Sequence, residues 1–182
     1  MSDTLSLLAP AGALPIGTEW RTSETSAPVV CPVAGSLGAN APVSTVQDSR
    51  DALDAAEAAR AEVAALSTAQ RRSILVAITA RVRAEAGRLE DLLILETGKP
   101  RRDCRVEVSR TIVTLEATAE EVAHLRGETV PLDLQETGRG MIGYFTRTPA
   151  GVVIGIAGFN YPLLLATHKL APAIAAACPV II

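Results

Sequence analysis

The fold class is decided by Arg147–Ile182, which reads RTPAGVVIGIAGFNYPLLLATHKLAPAIAAACPVII. A β-branched run leads into a Gly-Phe-Asn-Tyr-Pro break, an apolar segment with a single lysine follows, and a second β-branched run comes last. This pattern predicts one βαβ unit, with parallel strands at Val152–Ile156 and Val180–Ile182 and a helix over about Leu163–Ala176. Because ligands bind at the carboxyl ends of strands in open α/β sheets, we expect the functional site in the loop after the first strand.

The same stretch also has the length of a membrane-spanning helix, since no charged side chain lies between Arg147 and Lys169. Pro149, Asn160 and Pro162 interrupt it, however, and a helix crossing a bilayer would leave backbone groups unsatisfied at these points. Buried parallel strands are continuous apolar runs of this kind. We therefore expect no membrane partner.

The composition is that of a globular protein of about one domain, with 182 residues, 48% of them hydrophobic and 20% charged. A net charge of −3 and an aromatic content of 3% argue against a nucleic-acid partner, which would favour basic stripes and stacking rings. The three cysteines are scattered and form no Cys-x-x-Cys pair, so they predict neither disulfides nor a metal site. They fit a reducing compartment, and with no evident secretory signal we expect a cytoplasmic protein.

The segment 1–42 is rich in Pro, Gly, Ser and Ala, which predicts an irregular surface lead-in with short β-like pieces such as Ala27–Val30. From Asp48 onward the sequence is rich in alanine and its composition is typical of helices. We expect Asp48 or Ser49 to cap a first helix that runs to about Leu66.

Three further helices are predicted before residue 127. Thr68 is expected to cap the first of them without a capping box, ahead of a core-facing stripe formed by Ile74, Leu75, Ile78 and Val82. A second helix, rich in leucine, is expected to end at Gly98 and Pro100. A third should run from about Arg102 to Leu125.

The hydrophobic period changes to two in segment 129–148, where two short apolar runs flank a glycine-containing connection. This predicts a β-hairpin. Since an isolated hairpin is marginally stable in water, it should either add to another sheet or pack on its own domain.

Short motifs occur along the chain from residue 16 to the end. Those in the first part are Ile16-Gly-Thr-Glu-Trp, Pro32-Val-Ala-Gly, Glu96-Thr-Gly-Lys-Pro and Gly127-Glu-Thr-Val-Pro. Those in the carboxyl-terminal part are Pro149-Ala-Gly-Val-Val, Gly158-Phe-Asn-Tyr-Pro-Leu and Lys169-Leu-Ala-Pro-Ala-Ile-Ala. Taken in order, these motifs resemble those of the NAD(P)-dependent aldehyde dehydrogenase superfamily. Each motif alone is weak, but their shared order is specific.

The resemblance implies an α/β fold with a Rossmann-like parallel sheet, incomplete here, behind an amino-terminal helical layer. Segment 1–128 would hold the lead-in and helices of the cofactor-binding domain, and 149–182 its first βαβ unit, truncated. The hairpin 129–148 would be an oligomerisation arm, which implies a homo-oligomer.

The function implied is oxidation of an aldehyde to a carboxylate with NAD or NADP, through a cysteine thiohemiacetal. In the family's order the nucleophilic cysteine, the general-base glutamate and a cofactor-binding lysine all lie beyond residue 182, so this chain alone should be inactive. Cys178 stands where the family has a turn asparagine and is not the nucleophile. The alternative is a non-catalytic truncated relative that pairs with other subunits.

The role of Asn160 has two interpretations. Asparagine before a proline favours a helix cap, which the local sequence alone supports. The resemblance instead assigns Asn160 to hydrogen-bonding the aldehyde oxygen, where a donor stabilises developing negative charge.

Cofactor contact is implied for Asn160 and for Ile156, Ala157, Gly158 and Phe159 before it. No Gly-x-Gly-x-x-Gly fingerprint is present, and the family binds NAD(P) without one. The chain departs from the family pattern in Ala157-Gly158, usually Thr/Ser-Pro, and in Phe159, usually Trp.

The remaining charged motifs receive structural interpretations. We read Glu96–Pro100 as a helix ending rather than a site, and expect Arg101, Arg102 and Arg105 to face water. Lys169, the one charge in the helix of the βαβ unit, should be solvated or paired and has no catalytic role.

Overall fold

The computed structural model describes residues 13–182, and its amino-terminal part consists of two antiparallel hairpins. Strands β1 (Ala13–Ile16) and β2 (Glu19–Thr22) form the first, and β3 (Ser26–Val30) and β4 (Leu37–Pro42) form the second. The predicted β-like piece Ala27–Val30 is confirmed by β3. The prediction that the lead-in is otherwise irregular is wrong for residues 13–42, whereas 1–12 lie outside the described residues. The other three strands were not predicted because they are short, and prolines in β1 and β4 obscure the alternation of apolar and polar residues.

Helices follow at α1 (Val46–Ala58), α2 (Arg60–Ala64) and α3 (Thr68–Ala84). In both α1 and α3 the cap lies before the predicted cap. Thr45 caps α1 in a capping box with Asp48, and Ser67 caps α3 in a capping box with Gln70. The predicted caps Asp48, Ser49 and Thr68 are thus wrong, because a capping box places its acidic or amide residue three positions after the cap.

Helices α4 (Ala86–Thr97) and α5 (Arg101–Glu121) come next, and a 3₁₀ turn over Val122–His124 extends α5. The predicted end of α4 is confirmed, since Gly98 adopts the left-handed conformation at φ 67°. The core-facing stripe of α3 is confirmed for Leu75, which is fully buried, and for its partly buried neighbours Ile78 and Val82. Ile74 is exposed instead.

Helix α5 lies at the centre of the packing. One core cluster joins it to α3 and to the last helix through Leu75, Leu115, Ala119, Val122, Ala171 and Ala175. A second cluster joins it to α4 through Leu93, Cys104 and Val108. Both faces of α5 therefore contribute buried side chains, which makes this helix the support on which the carboxyl-terminal unit rests.

The predicted hairpin is formed by β5 (Glu128–Val130) and β6 (Gly143–Phe145), which pair antiparallel. Its backbone packs closely, because a Cβ on Gly127 would lie 1.7 Å from the carbonyl oxygen of Phe145. The pairing is confirmed, while the role of segment 129–148 in oligomerisation stays a prediction.

The βαβ unit closes the chain. Strand β7 (Val153–Ile154) lies parallel to β8 (Val180–Ile181), and helix α6 (Pro162–Ala175) joins them. This confirms the predicted order and direction, although both strands are shorter than predicted. Within residues 13–182, no helix combines the length and the apolar character needed to cross a membrane.

Candidate active site

The loop between β7 and α6 carries all five site residues that the sequence predicts. It leaves the carboxyl end of β7 at the buried Gly155 and reaches α6 at Pro162. Two large apolar side chains on it are almost fully exposed, Ile156 at 84% and Phe159 at 92%. Ala157 and Asn160 are exposed as well, and Gly158 is half-buried. The structure therefore brings the predicted residues together on one open surface.

Asn160 does not cap α6. The cap position is occupied by Tyr161, whose side chain makes no capping hydrogen bond, and Pro162 is the first helical residue. Within the described part of the chain, the Asn160 amide makes no hydrogen bond. The cap reading of Asn160 is thus wrong, and its side chain keeps its donors for another partner.

The start of α6 is satisfied by a residue from a different helix. Glu107 of α5 is fully buried, and its Oε1 accepts the backbone N–H of Leu163 at 3.0 Å and that of Leu164 at 3.3 Å. Pro162 has no N–H to satisfy. A carboxylate at a helix N-terminus is also favoured by the helix dipole, so Glu107 takes over the function of a cap.

Lys99 connects this carboxylate to the site loop. Its ammonium forms an ion pair with Glu107 Oε2 and donates a hydrogen bond to the backbone carbonyl of Asn160 at 3.0 Å. It also lies 4.2 Å from the centre of the Tyr161 ring, a cation–π contact. Lys99 and Glu107 therefore hold the residues on both sides of Pro162.

Neither residue was found from the sequence. The interpretation of Glu96–Pro100 as a helix ending is correct for Gly98, but the next residue turns inward to the site loop. A signal for Glu107 was present, because it occupies the same face of α5 as Cys104, Val108 and Thr111, all buried. A carboxylate in an apolar stripe requires a buried partner.

The two buried cysteines and Lys169 make structural contacts. Burial raises the pKa of the Cys104 thiol, which disfavours the reactive thiolate. Cys178 is buried in the turn after α6, its Sγ 3.6 Å from the carbonyl oxygen of Ala176. The stem of Lys169 packs beside Gly155, and Lys169 forms no ion pair with any described residue.

The arginines after Pro100 face water, as predicted, and two of them pair with acidic residues of α4. Arg101 contacts Glu90 and Asp91, and Arg105 contacts Glu90. Residues 13–182 contain no cluster of His, Cys, Asp and Glu that could hold a metal ion.

The loop thus offers one side-chain amide donor beside an exposed apolar surface, at the end of a parallel strand. Behind the loop, Lys99 and Glu107 form an ion pair. Such an arrangement can orient an oxygen and lie against a flat apolar group. A nucleophile for covalent chemistry is not part of the loop from Gly155 to Pro162.

Comparison with known proteins gives matches along most of the chain. The sequence pattern of the aldehyde dehydrogenase family matches residues 20–182. Aspartate-semialdehyde dehydrogenase 1 of Pseudomonas canavaninivorans is 39% identical over 119 residues, which cover 65% of this chain and 25% of the relative. The chain therefore spans about a quarter of that relative's length.

Solved structures agree in fold. Aldehyde dehydrogenase 21 from Physcomitrella patens, in complex with the reaction product succinate, matches with a TM-score of 0.89 and 32% identity, over 96% of this chain and 36% of its own. The NADP-dependent glyceraldehyde-3-phosphate dehydrogenase from Bacillus halodurans C-125, complexed with NADP, matches with a TM-score of 0.87 and 29% identity, over 93% of this chain and 36% of its own. PnpE, another neighbour, was solved with nicotinamide adenine dinucleotide. Since the family pattern covers nearly all of the sequence, this chain belongs to the aldehyde dehydrogenase family.

Proposed function

We propose that this chain is the amino-terminal part of an enzyme that oxidises an aldehyde to a carboxylate with NAD or NADP. The observation that carries the proposal is the free, exposed amide of Asn160 at the carboxyl end of β7. That amide would donate to the aldehyde oxygen as negative charge develops there, a contribution of about 3–4 kcal/mol in other enzymes.

The chemistry needs groups beyond residue 182. A cysteine thiolate would attack the aldehyde carbon and form a C–S bond, with the carbonyl electron pair moving to the oxygen that faces Asn160. The carbon would then lose a hydride and become a thioester, and water activated by a glutamate would release the carboxylate and return the thiol. These two catalytic residues are proposed from the family to which the chain belongs.

The loop after β7 fits a nicotinamide nucleotide. Ile156 and Phe159 present apolar faces to the outside, and Gly158 lets the loop lie close to Leu165, since a Cβ there would be 2.9 Å from Leu165 Cδ1. When bound, NAD(P) supplies the acceptor for the hydride. The residues that would hold it are Ile156, Ala157, Gly158, Phe159 and Asn160, which lie where ligands bind in parallel α/β sheets.

The parallel pair would continue into a larger Rossmann-like sheet. Ile154 is 65% exposed, and an apolar groove of about 500 Å³ runs between β1, α1 and the strands β7 and β8. Segment 1–128 would then hold the lead-in and helices of the cofactor-binding domain, and 149–182 its first βαβ unit.

Hairpin 129–148 would pair with a second copy of the protein. Its exposed apolar side chains include Leu134 at 88% and Ile142 at 86%. The same surface favours the alternative function, a non-catalytic subunit that pairs with complete relatives. We place the protein in the cytoplasm, in keeping with its three free cysteines.

The experiment is an aldehyde oxidation assay on two samples, the 182-residue chain alone and the full-length protein that contains it. We expect formation of NADH or NADPH from small polar aldehydes, such as aspartate semialdehyde, only in the full-length protein. Inactivity of the full-length protein with every aldehyde and both cofactors would favour the non-catalytic alternative.

A further inference from the structure

The ion pair between the buried Glu107 and the half-buried Lys99 lies beside Asn160. Glu107 Oε1 receives the first two N–H groups that follow Pro162, at 3.0 Å and 3.3 Å, while Lys99 Nζ holds the carbonyl of Asn160 at 3.0 Å. The turn between these attachment points is only Tyr161 and Pro162. The backbone of Asn160 is thereby fixed from α5 and from the α4–α5 connection together.

Stability alone is a weak reason for such a pair. An ion pair with a buried partner brings little net stability, because the cost of desolvating the charges offsets their attraction, and a well-packed apolar pair would serve as well. What an apolar pair could not do is direct hydrogen bonds at three backbone groups around one loop. The specific result of this geometry is a defined position for the Asn160 amide.

We propose that Lys99 and Glu107 are positioning residues for the oxyanion donor Asn160. The proposal rests on the proposed function of Asn160, and neither residue touches substrate. Because a donor acts only if it meets the developing charge at hydrogen-bond distance, a displaced Asn160 weakens transition-state contact more than substrate or cofactor binding.

The test is steady-state kinetics of the full-length enzyme with Glu107→Gln, which keeps the size and one acceptor oxygen of the side chain but removes the charge that holds Lys99. We expect kcat to fall by about 10-fold to 100-fold, the effect of a misplaced catalytic group, with KM for aldehyde and cofactor within about twofold. The matched control is Glu90→Gln, since Glu90 is also buried and pairs with Arg101 and Arg105 away from the loop. Its kcat should stay at the wild-type value.

A double-mutant cycle separates positioning from general weakening of the fold. In an Asn160→Ala background the donor is already absent, so Glu107→Gln should lower kcat no further. An equal loss in both backgrounds would overturn the proposal, because Glu107 would then act independently of Asn160.

A second variant and a second readout cover the case in which Glu107→Gln fails to fold. Lys99→Met keeps Glu107 Oε1 as the acceptor for α6 and removes the ammonium with its contacts to Asn160, Glu107 and the Tyr161 ring. It should show the same fall in kcat and the same dependence on Asn160. Amide hydrogen exchange reports the network without catalysis, and Leu163 and Leu164 should exchange faster in Glu107→Gln, since charge-assisted hydrogen bonds are the stronger ones.

The outcomes also separate this proposal from the one on which it rests. An inactive wild-type enzyme overturns the proposed function and the positioning role with it. An active wild-type enzyme whose kcat is unchanged in Glu107→Gln and Lys99→Met overturns the positioning role alone.

Discussion

Glu107 accepts the backbone N–H of Leu163 at 3.0 Å, although 56 residues separate the two along the chain. This contact replaces a local cap for α6 and leaves the preceding asparagine without a capping function. It also joins the central helix α5 to the loop that carries every predicted site residue. The candidate site is therefore attached to α5, the helix that contributes to both core clusters.

The packing of α5 can be tested with Leu115→Ala. Leu115 is 1% exposed and lies in the core cluster shared with α3 and α6. We expect a loss of about 2–5 kcal/mol in the free energy of unfolding, the usual cost of a core leucine truncation, measured by urea denaturation. Val113→Ala on the same helix is the control, since Val113 is exposed and its truncation should change stability by less than about 0.5 kcal/mol. Equal effects of the two substitutions would show that the packing around α5 differs from that described.

The capping box of α1 predicts that Asp48 contributes to the stability of the fold in a pH-dependent way. The Thr45 backbone N–H, the Thr45 hydroxyl and the Arg21 guanidinium lower the pKa of Asp48 from 3.8 to about 2. A carboxyl whose pKa is lower in the folded state stabilises the fold above its unfolded pKa, and that contribution is lost as the pH falls through the folded value. We expect Asp48→Asn to be less stable than wild type at neutral pH, with the difference shrinking between about pH 4 and pH 2.

Thermal unfolding followed by circular dichroism at several pH values measures this difference. Asp54→Asn, an exposed position on the same helix, should show no such pH-dependent gap. A gap between wild type and Asp48→Asn that stays constant down to pH 2 would contradict the role of the carboxylate.

The cysteines should differ in reactivity. Cys104 and Cys178 are buried and Cys31 is half-buried, and burial also raises the pKa of the Cys104 thiol. Since the thiolate is the reactive form, a thiol reagent should modify one cysteine per native chain quickly and the other two only on unfolding. In Cys31→Ser the fast phase should disappear. Fast modification of Cys104 in the native chain would contradict its placement.

Hairpin 129–148 should mediate association of the full-length protein. An aspartate at Leu134 or Ile142 would place a charge in the proposed apolar contact, so we expect both variants to sediment as smaller species than wild type. Val33→Asp is the control, because Val33 is also largely exposed, at 77%, but lies on the β3–β4 connection. A wild-type protein that sediments as a monomer would exclude the oligomerisation role.

The sequence predicts the βαβ unit well, because a Gly-Phe-Asn-Tyr-Pro break between two β-branched runs is a local signal. Because this signal marks the turn between strand and helix, it also predicts the loop that carries Asn160. Local patterns also explain Gly98 at the end of α4 and the long helix α5.

The contacts that position the site are not local, and this is why they escaped prediction. Whether Asn160 or Glu107 satisfies the first amides of α6 depends on how α5 packs beside it. The caps at Thr45 and Ser67 were missed for a different reason, since the nearby Asp48 and Thr68 belong to residue types that are themselves favoured as caps.

The central claim is that Asn160 donates a hydrogen bond to the reacting oxygen, and turnover of Asn160→Asp in the full-length enzyme tests it most directly. The substitution replaces a donor with a negative charge beside developing negative charge, and since Asn160 does not cap α6, the thermal midpoint should stay near that of wild type. We expect kcat to fall by about 10²–10³ or more, as when an oxyanion donor is removed elsewhere. Near-normal turnover of a folded Asn160→Asp enzyme would contradict the account.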